Sequence, residues 1–236
     1  MQTISFQDAF SSTTAQGQLK VGQYANTPDG NTWVYAKAAG TIGQFKVAIP
    51  NSNVGVDVVS SSEDQQGRAV YITKASAGWT VGAYANYWGV VDDGTGVGQR
   101  YRVQTNNTDT LTLYPEYALT TALTTAGLSD ITLHPGPAST VIAAITSKIQ
   151  NSIGITQTNS GVVSGDFYWL LTKGYGAVYA GEVLVVGGSY VTGDDTTGQV
   201  VKGTTAKGEF DEQSLGRSLV ANAAADQSAL VWVNIF

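Results

Sequence analysis

Apolar and polar positions along most of the chain alternate with a period of two, the spacing at which successive side chains fall on opposite faces of a strand. The segments "TWVYAK" (32–37), "QFKVAI" (44–49), "VGVDVV" (54–59) and "RAVYITK" (68–74) are of strand length. "NYWGVV" (86–91), "RYRVQT" (100–105), "DTLTLY" (109–114) and "DITLH" (130–134) continue the series. The last third adds "DFYWLLTK" (166–173), "GAVYAG" (176–181), "EVLVVG" (182–187), "GQVVKG" (198–203) and "ALVWVNIF" (229–236). Turn-forming clusters such as "PDGN", "IPNSN", "DDGTG" and "TNNTD" separate them. Strands this closely spaced predict an all-β chain, a β-sandwich or β-barrel-like fold, because βαβ units place helices of about a dozen residues between strands.

Helical spacing is confined to two places. "PEYALTTALTTAG" (115–127) has Pro115 at a helix start, Leu119 and Leu123 four apart, and Gly127 as a stop. "ASTVIAAITSKIQ" (138–150) fits either a helix face or an irregular strand. The expected fold therefore carries one or two short helices. Residues 1–18 are polar with isolated apolar residues and read as an N-terminal arm. A β-rich domain is expected over 19–148, a linker or long loop over 149–165, and a second β-rich portion over 166–236 that could belong to the same domain.

Composition narrows the function. Charged residues are 13% of the 236, about half the usual share. Low charge with abundant glycine suits half-buried sheets joined by tight turns. The net charge of −6 and the scattering of the eight lysines and four arginines argue against nucleic acid as a partner; only Arg100 and Arg102 come close together. Cysteine is absent, which removes disulfides and thiolate metal sites. The opening "MQTISFQDAFSSTT" lacks the basic start and apolar core of an ordinary signal peptide, and no apolar run reaches membrane-helix length. No membrane partner is expected, and synthesis is expected in a cytoplasm.

The stretch "DDGTGVGQRYRV" (92–103) holds Gly94, Gly96 and Gly98 directly after an apolar run. A phosphate cradle needs a helix behind its glycines, so that backbone N–H groups face the anion. The residues after Gly98 alternate as a strand, and Asp92 and Asp93 would repel a phosphate. The loop reads as a hairpin or bulged turn. "DDGTG" and "GDDTTG" lack the closing glutamate of a tight calcium loop. His134, the only histidine, has no second histidine or cysteine with which to hold zinc, and no nucleophile elbow presents a serine to it. No cofactor, metal or catalytic residue is nominated, and an enzyme is not expected. A hydrolase would need a pocket with two carboxylates.

Aromatic residues are the remaining unusual feature. "WTVGAYANYWG" (79–89) supplies Trp79, Tyr84, Tyr87 and Trp88, which could form an exposed carbohydrate-binding surface or fill a sheet core and subunit contacts. In the N-terminal arm, Ile4, Phe6 and Phe10 stand among polar neighbours and are candidate anchors in a partner's groove.

Four stretches resemble structural proteins of tailed bacteriophages. "PDGNTWVYAKAAGTI" (28–42) is similar to their opening turn and strand, and "GVGQRYRVQTNNTDTLTLYPEYALTTAL" (96–123) to a glycine-led strand, a threonine-rich strand and a short helix-like segment. "GDFYWLLTKGYGAVYAGEVLVVGGSYV" (165–191) is similar to an aromatic strand pair, and "SLGRSLVANAAADQSALVWVNIF" (214–236) to the closing hairpin of head decoration proteins. The resemblance implies a head decoration, or cement, protein: a non-enzymatic virion component on the outer capsid, partnered by the major capsid protein and by itself as a homotrimer. The alternative is a glycan-binding β domain of a tail fibre or adhesin.

Overall fold

The computed structural model describes residues 2–15, 19–142, 152–192, 198–203, 214–222 and 224–235. Among these the chain is almost entirely β, as the period of two predicts. In chain order it begins with β1 (Gln2–Thr3), a one-turn helix α1 (Phe6–Ala9), β2 (Ser12–Thr13), β3 (Tyr24–Asn26), β4 (Thr32–Lys37) and β5 (Val47–Pro50). Then come β6 (Val54–Val56), β7 (Ser60–Glu63), β8 (Ala69–Thr73), β9 (Trp88–Asp93), β10 (Arg100–Asn106), β11 (Thr110–Leu113) and β12 (Asp130–His134). The last group is β13 (Thr140–Ile142), β14 (Gly154–Thr156), β15 (Phe167–Ala180), β16 (Ser189–Thr192), β17 (Val200–Lys202), β18 (Gly216–Ser218) and β19 (Gln227–Asn234).

The chain divides into two compact units, one of residues 1–51 with 139–236 and the other of residues 52–138. The second is an insertion into the first. Strands β5 and β13 pair antiparallel with Pro50 opposite Thr140, and the Asn51 N–H donates to the Ser139 carbonyl at 2.8 Å. The inserted residues thus occupy the place of the connection between two paired strands. The division falls at 51/52 and 138/139, while residues 154–156, within the stretch expected as a linker, form β14 between β5 and β15.

The first unit is organised by β15, which is fourteen residues long. Its first half, from Phe167 to Lys173, pairs with β4, and its second half, from Lys173 to Ala180, with β19. The change of neighbour coincides with a register shift after Leu171 and with Gly174 at φ +120°. A Cβ there would lie 1.9 Å from Asn31 Oδ1, the atom that accepts the Tyr175 N–H at 2.8 Å, so only glycine fits. Beyond the bend, the pairings β15–β17, β17–β16, β16–β18, β18–β19 and β19–β15 close a ring of five strands. Closure leaves those strands without a free edge.

Strand β4 explains the N-terminal segment. "TWVYAK" is apolar on both faces, and Trp33, Val34, Tyr35 and Ala36 are all buried. Val34 and Ala36 pack with Ile42, Ala48, Val162, Tyr168 and Leu170 on one side. On the side of Trp33 the cover comes from residues 2–13: β1 pairs with β3, β2 with β15, Ile4 and Ala9 are buried, and Phe10 meets the Trp33 ring edge-on at 5.9 Å. Ser5 caps α1, accepting the Asp8 N–H at 3.1 Å and donating its hydroxyl to Asp8 Oδ2 at 2.6 Å. The residues expected as an arm therefore sit in the sheet, though 16–18 lie outside the described residues.

The second unit is a seven-stranded antiparallel sheet in the order β6-β12-β9-β10-β11-β8-β7. Strand β10 is shared: Arg100–Arg102 pair with β9 and Val103–Asn106 with β11, with a bulge between Val103 and Thr105. The bulge bends the sheet so that Val91, Tyr101, Val103, Leu111, Leu113, Ile131 and Leu133 share a buried interior.

Two local expectations are corrected. Residues 115–127 are not an α-helix: only Pro115–Tyr117 makes a 3-10 turn. Leu119 bridges to Ala69, Leu123 accepts the Ser61 N–H at 3.0 Å through its carbonyl, and the Gln99 side chain accepts the Thr120 and Thr121 N–H groups. The two leucines anchor a loop to the sheet, and the β-branched threonines between and after them favour that outcome. "EVLVVG" (182–187) is a loop rather than a strand; only its Leu184 is directed inward, its N–H donated to Asn222 Oδ1 at 2.6 Å. Of "ASTVIAAITSKIQ", Thr140–Ile142 is strand and 143–150 lies outside the described residues.

Candidate functional site

The glycine loop joins β9 to β10 as the connection of an antiparallel hairpin, with no helix behind it. Gly94, Gly96 and Gly98 all have positive φ, between 74° and 87°, and the Gly98 N–H donates to the Val91 carbonyl at 2.8 Å. Their left-handed conformations turn the backbone. Asp93 accepts the Gly94 N–H at 2.7 Å, which ties its carboxylate into the turn.

The four aromatic candidates of residues 79–89 separate into two groups. Trp79, Tyr84 and Tyr87 form an edge-to-face chain with centroid distances of 5.6 and 5.5 Å. Tyr87 is buried, and Asn106 holds the loop by accepting the Tyr84 N–H at 2.9 Å and donating to the Thr80 carbonyl at 2.9 Å. This group packs a loop onto the sheet. Trp88 begins β9 and is 41% exposed. Its neighbours come from two strands and a turn: His134 opposite it on β12, Arg102 opposite it on β10, and Tyr117 edge-on at 5.1 Å.

Register extends this row into a surface. Val90 stands opposite Thr132 on one side and Arg100 on the other. Trp88, Val90, Asp92, Arg100, Arg102, Thr132 and His134 thus occupy one face, while Gly89, Val91, Tyr101, Val103, Ile131 and Leu133 occupy the buried face. The Arg102 guanidinium lies 5.7 Å from the Trp88 ring centroid and 5.5 Å from that of Tyr114, whose hydroxyl donates to Asn86 Oδ1 at 3.0 Å. Asp92 accepts the Thr132 hydroxyl. A cleft of 520 Å³ opens here, lined by Trp88, Gly89, Val90, Arg100 and His134. Sequence reading singled out Trp88 but not its cationic neighbours. The signal was "RYRV", in which alternation places both arginines on one face.

Beneath the cleft, the Tyr101 ring crosses the Gly89 backbone so closely that a Cβ on residue 89 would lie 2.2 Å from it. The Tyr101 hydroxyl is buried with no hydrogen-bond partner among the described residues. Burial first, and the charge of Asp92 second, push its phenol far above the usual range.

The N-terminal candidates lie elsewhere. Ile4 is 6% exposed within its own unit, Phe10 rests on Trp33, and Phe6 is described by its backbone alone, in α1. A further feature of the first unit was not anticipated. Val183, Val185 and Val186 are exposed on the 182–187 loop, and Leu219, Val220 and Leu230 are exposed nearby. The Gly187 N–H donates to the Ser218 carbonyl at 2.8 Å and the Leu219 N–H to the Leu230 carbonyl at 3.0 Å, which makes these segments neighbours.

The chain is thus an all-β protein of two units, one carrying an exposed aliphatic patch and the other an aromatic–cationic cleft. No protein-family model matches it, and no curated protein matches it. Among solved structures it is similar to the N base of the head fibre gp8.5 in bacteriophage phi29, at 10% identity and a TM-score of 0.35, over 86% of this chain and 92% of that one.

Proposed function

We propose that this protein is a non-enzymatic structural component of a bacteriophage particle, a decoration or cement protein on the outer surface of the head that stabilises contacts between major capsid proteins. The observation that carries this reading is the aliphatic patch of Val183, Val185, Val186, Leu219, Val220 and Leu230. Neighbouring exposed aliphatics of this number mark a surface held for a protein partner. All six lie within two of the stretches, 165–191 and 214–236, that resemble structural proteins of tailed bacteriophages, and Leu219, Val220 and Leu230 lie in the one similar to the closing hairpin of head decoration proteins. The patch serves either the contact with the shell or the contact between copies in a homotrimer.

The test is sedimentation of the purified protein with capsids of the parent particle assembled without it. Val186→Asp combined with Val220→Asp should abolish co-sedimentation while leaving the circular dichroism and melting temperature unchanged, because both side chains are exposed. Full occupancy by the double variant would remove the patch from the reading. Failure of the unaltered protein to bind any capsid would overturn the reading itself.

A further inference from the structure

We propose that the cleft on the open face of β9, β10 and β12 is a binding site for a uronate-containing saccharide. The inference does not depend on whether the protein stands on the head or the tail of a particle. Three features converge. Trp88 offers an exposed indole as a platform for the apolar C–H face of a pyranose ring, and Tyr117, edge-on to it at 5.1 Å, restricts its rotation. Cross-strand neighbours stand about 5 Å apart, so His134, Trp88 and Arg102 form one row and Thr132, Val90 and Arg100 the next. A single sugar ring on Trp88 therefore reaches a cation without spanning more than one strand interval. The cleft, at 520 Å³, falls in the range of small-ligand sites, about 300–1,000 Å³.

Charge selects the ligand class. The protein carries a net charge of −6, yet two of its four arginines and its only histidine share this face. Arg102 is held between the Trp88 and Tyr114 rings, which fixes its guanidinium. Arg100 is exposed and makes no ion pair or side-chain hydrogen bond among the described residues. Asp92, on the same face one row beyond Val90 at the loop end of β9, accepts the Thr132 hydroxyl. An unpaired guanidinium beside an aromatic platform matches a carboxylate on a sugar ring, since the planar fork binds a carboxylate through two parallel hydrogen bonds. Nucleic acid fits less well. Two arginines in an acidic protein cannot follow a phosphate backbone.

Isothermal titration calorimetry on the whole protein tests the proposal. The probes are hexamers of galacturonate and of mannuronate, a hyaluronan hexamer, the methyl ester of hexagalacturonate, and oligothymidylate. At least one uronate hexamer should bind saturably, and more weakly as salt is raised. For a hexamer that binds, Trp88→Ala should lower affinity by about tenfold. Arg100→Gln should lower it by about tenfold or more and leave the neutral ester unaffected. Both side chains are exposed, so an unchanged melting temperature certifies the variants; Trp79→Phe, outside the cleft, should bind as the unaltered protein does. The proposal is overturned if none of the uronates binds, if galacturonate binding is matched by its ester, if oligothymidylate binds more tightly than every uronate, or if binding survives both substitutions.

Discussion

At position 89 a hydrogen atom decides whether the second unit can close. The Tyr101 ring lies across the Gly89 backbone where a Cβ would meet its ring at 2.2 Å, and both residues face the buried interior. Gly89→Ala should therefore cost about 1–3 kcal/mol, the usual penalty for forcing extra volume into a packed core. Chemical denaturation checks this; a loss below about 0.5 kcal/mol would mean that the ring moves aside freely. The Tyr101 hydroxyl makes the opposite prediction. It is buried with no partner among the described residues, so its desolvation is uncompensated. Tyr101→Phe is expected to be neutral or to stabilise by about 1 kcal/mol. A clear destabilisation would reveal a partner for the hydroxyl.

Among the elements, the insertion and the N-terminal segment carry the sharpest consequences. Because β5 and β13 already pair at Pro50 and Thr140, residues 52–138 replace what could be a short hairpin connection. Joining Asn51 to Ser139 through an Asn-Gly turn should leave a folded, cooperatively melting β protein. A chain without a cooperative transition would show that the first unit depends on the inserted one. Deleting residues 2–18 should instead lower stability by at least about 2 kcal/mol, since it uncovers the Trp33 side of β4 and loses the burial of Ile4. The same deletion tests docking through Ile4, Phe6 and Phe10. Capsid binding that falls only in proportion to the unfolded fraction would assign the segment to the fold, whereas a loss of binding by folded protein would assign it to the partner.

For the molecule as a whole, three buried tyrosines predict an alkaline limit. Burial raises the phenols of Tyr101, Tyr168 and Tyr190 far above their ordinary value near 10. The folded state keeps these protons while the unfolded chain gives them up. The stabilisation is therefore complete below about pH 10 and declines as pH rises beyond it, by about 1.4 kcal/mol per tyrosine per pH unit. Absorbance at 295 nm should show these tyrosines ionising together with the loss of far-ultraviolet circular dichroism. Their titration near pH 10 with the fold intact would contradict the burial.

The sequence by itself determined the all-β class and most strand positions. Segments 32–37 and 130–134 are strands over their full predicted length, the first because a short run rich in aromatic and β-branched residues suits a strand buried on both faces, the second because its alternation reports which face is inward. It determined too that Gly94, Gly96 and Gly98 turn a hairpin, since a strand must follow them. What escaped depended on distant partners. "SSSE" (60–63) has no apolar pattern and is a strand only because β8 offers it an edge, while "EVLVVG" has the pattern and finds no edge. The N-terminal residues looked like an arm, since isolated apolar residues join a core only where a distant surface receives them, as Trp33 receives Phe10. Likewise no spacing in the chain places His134 beside Trp88. Register across β12, β9 and β10 does so, and register is fixed by how whole strands pair, which only the tertiary structure decides.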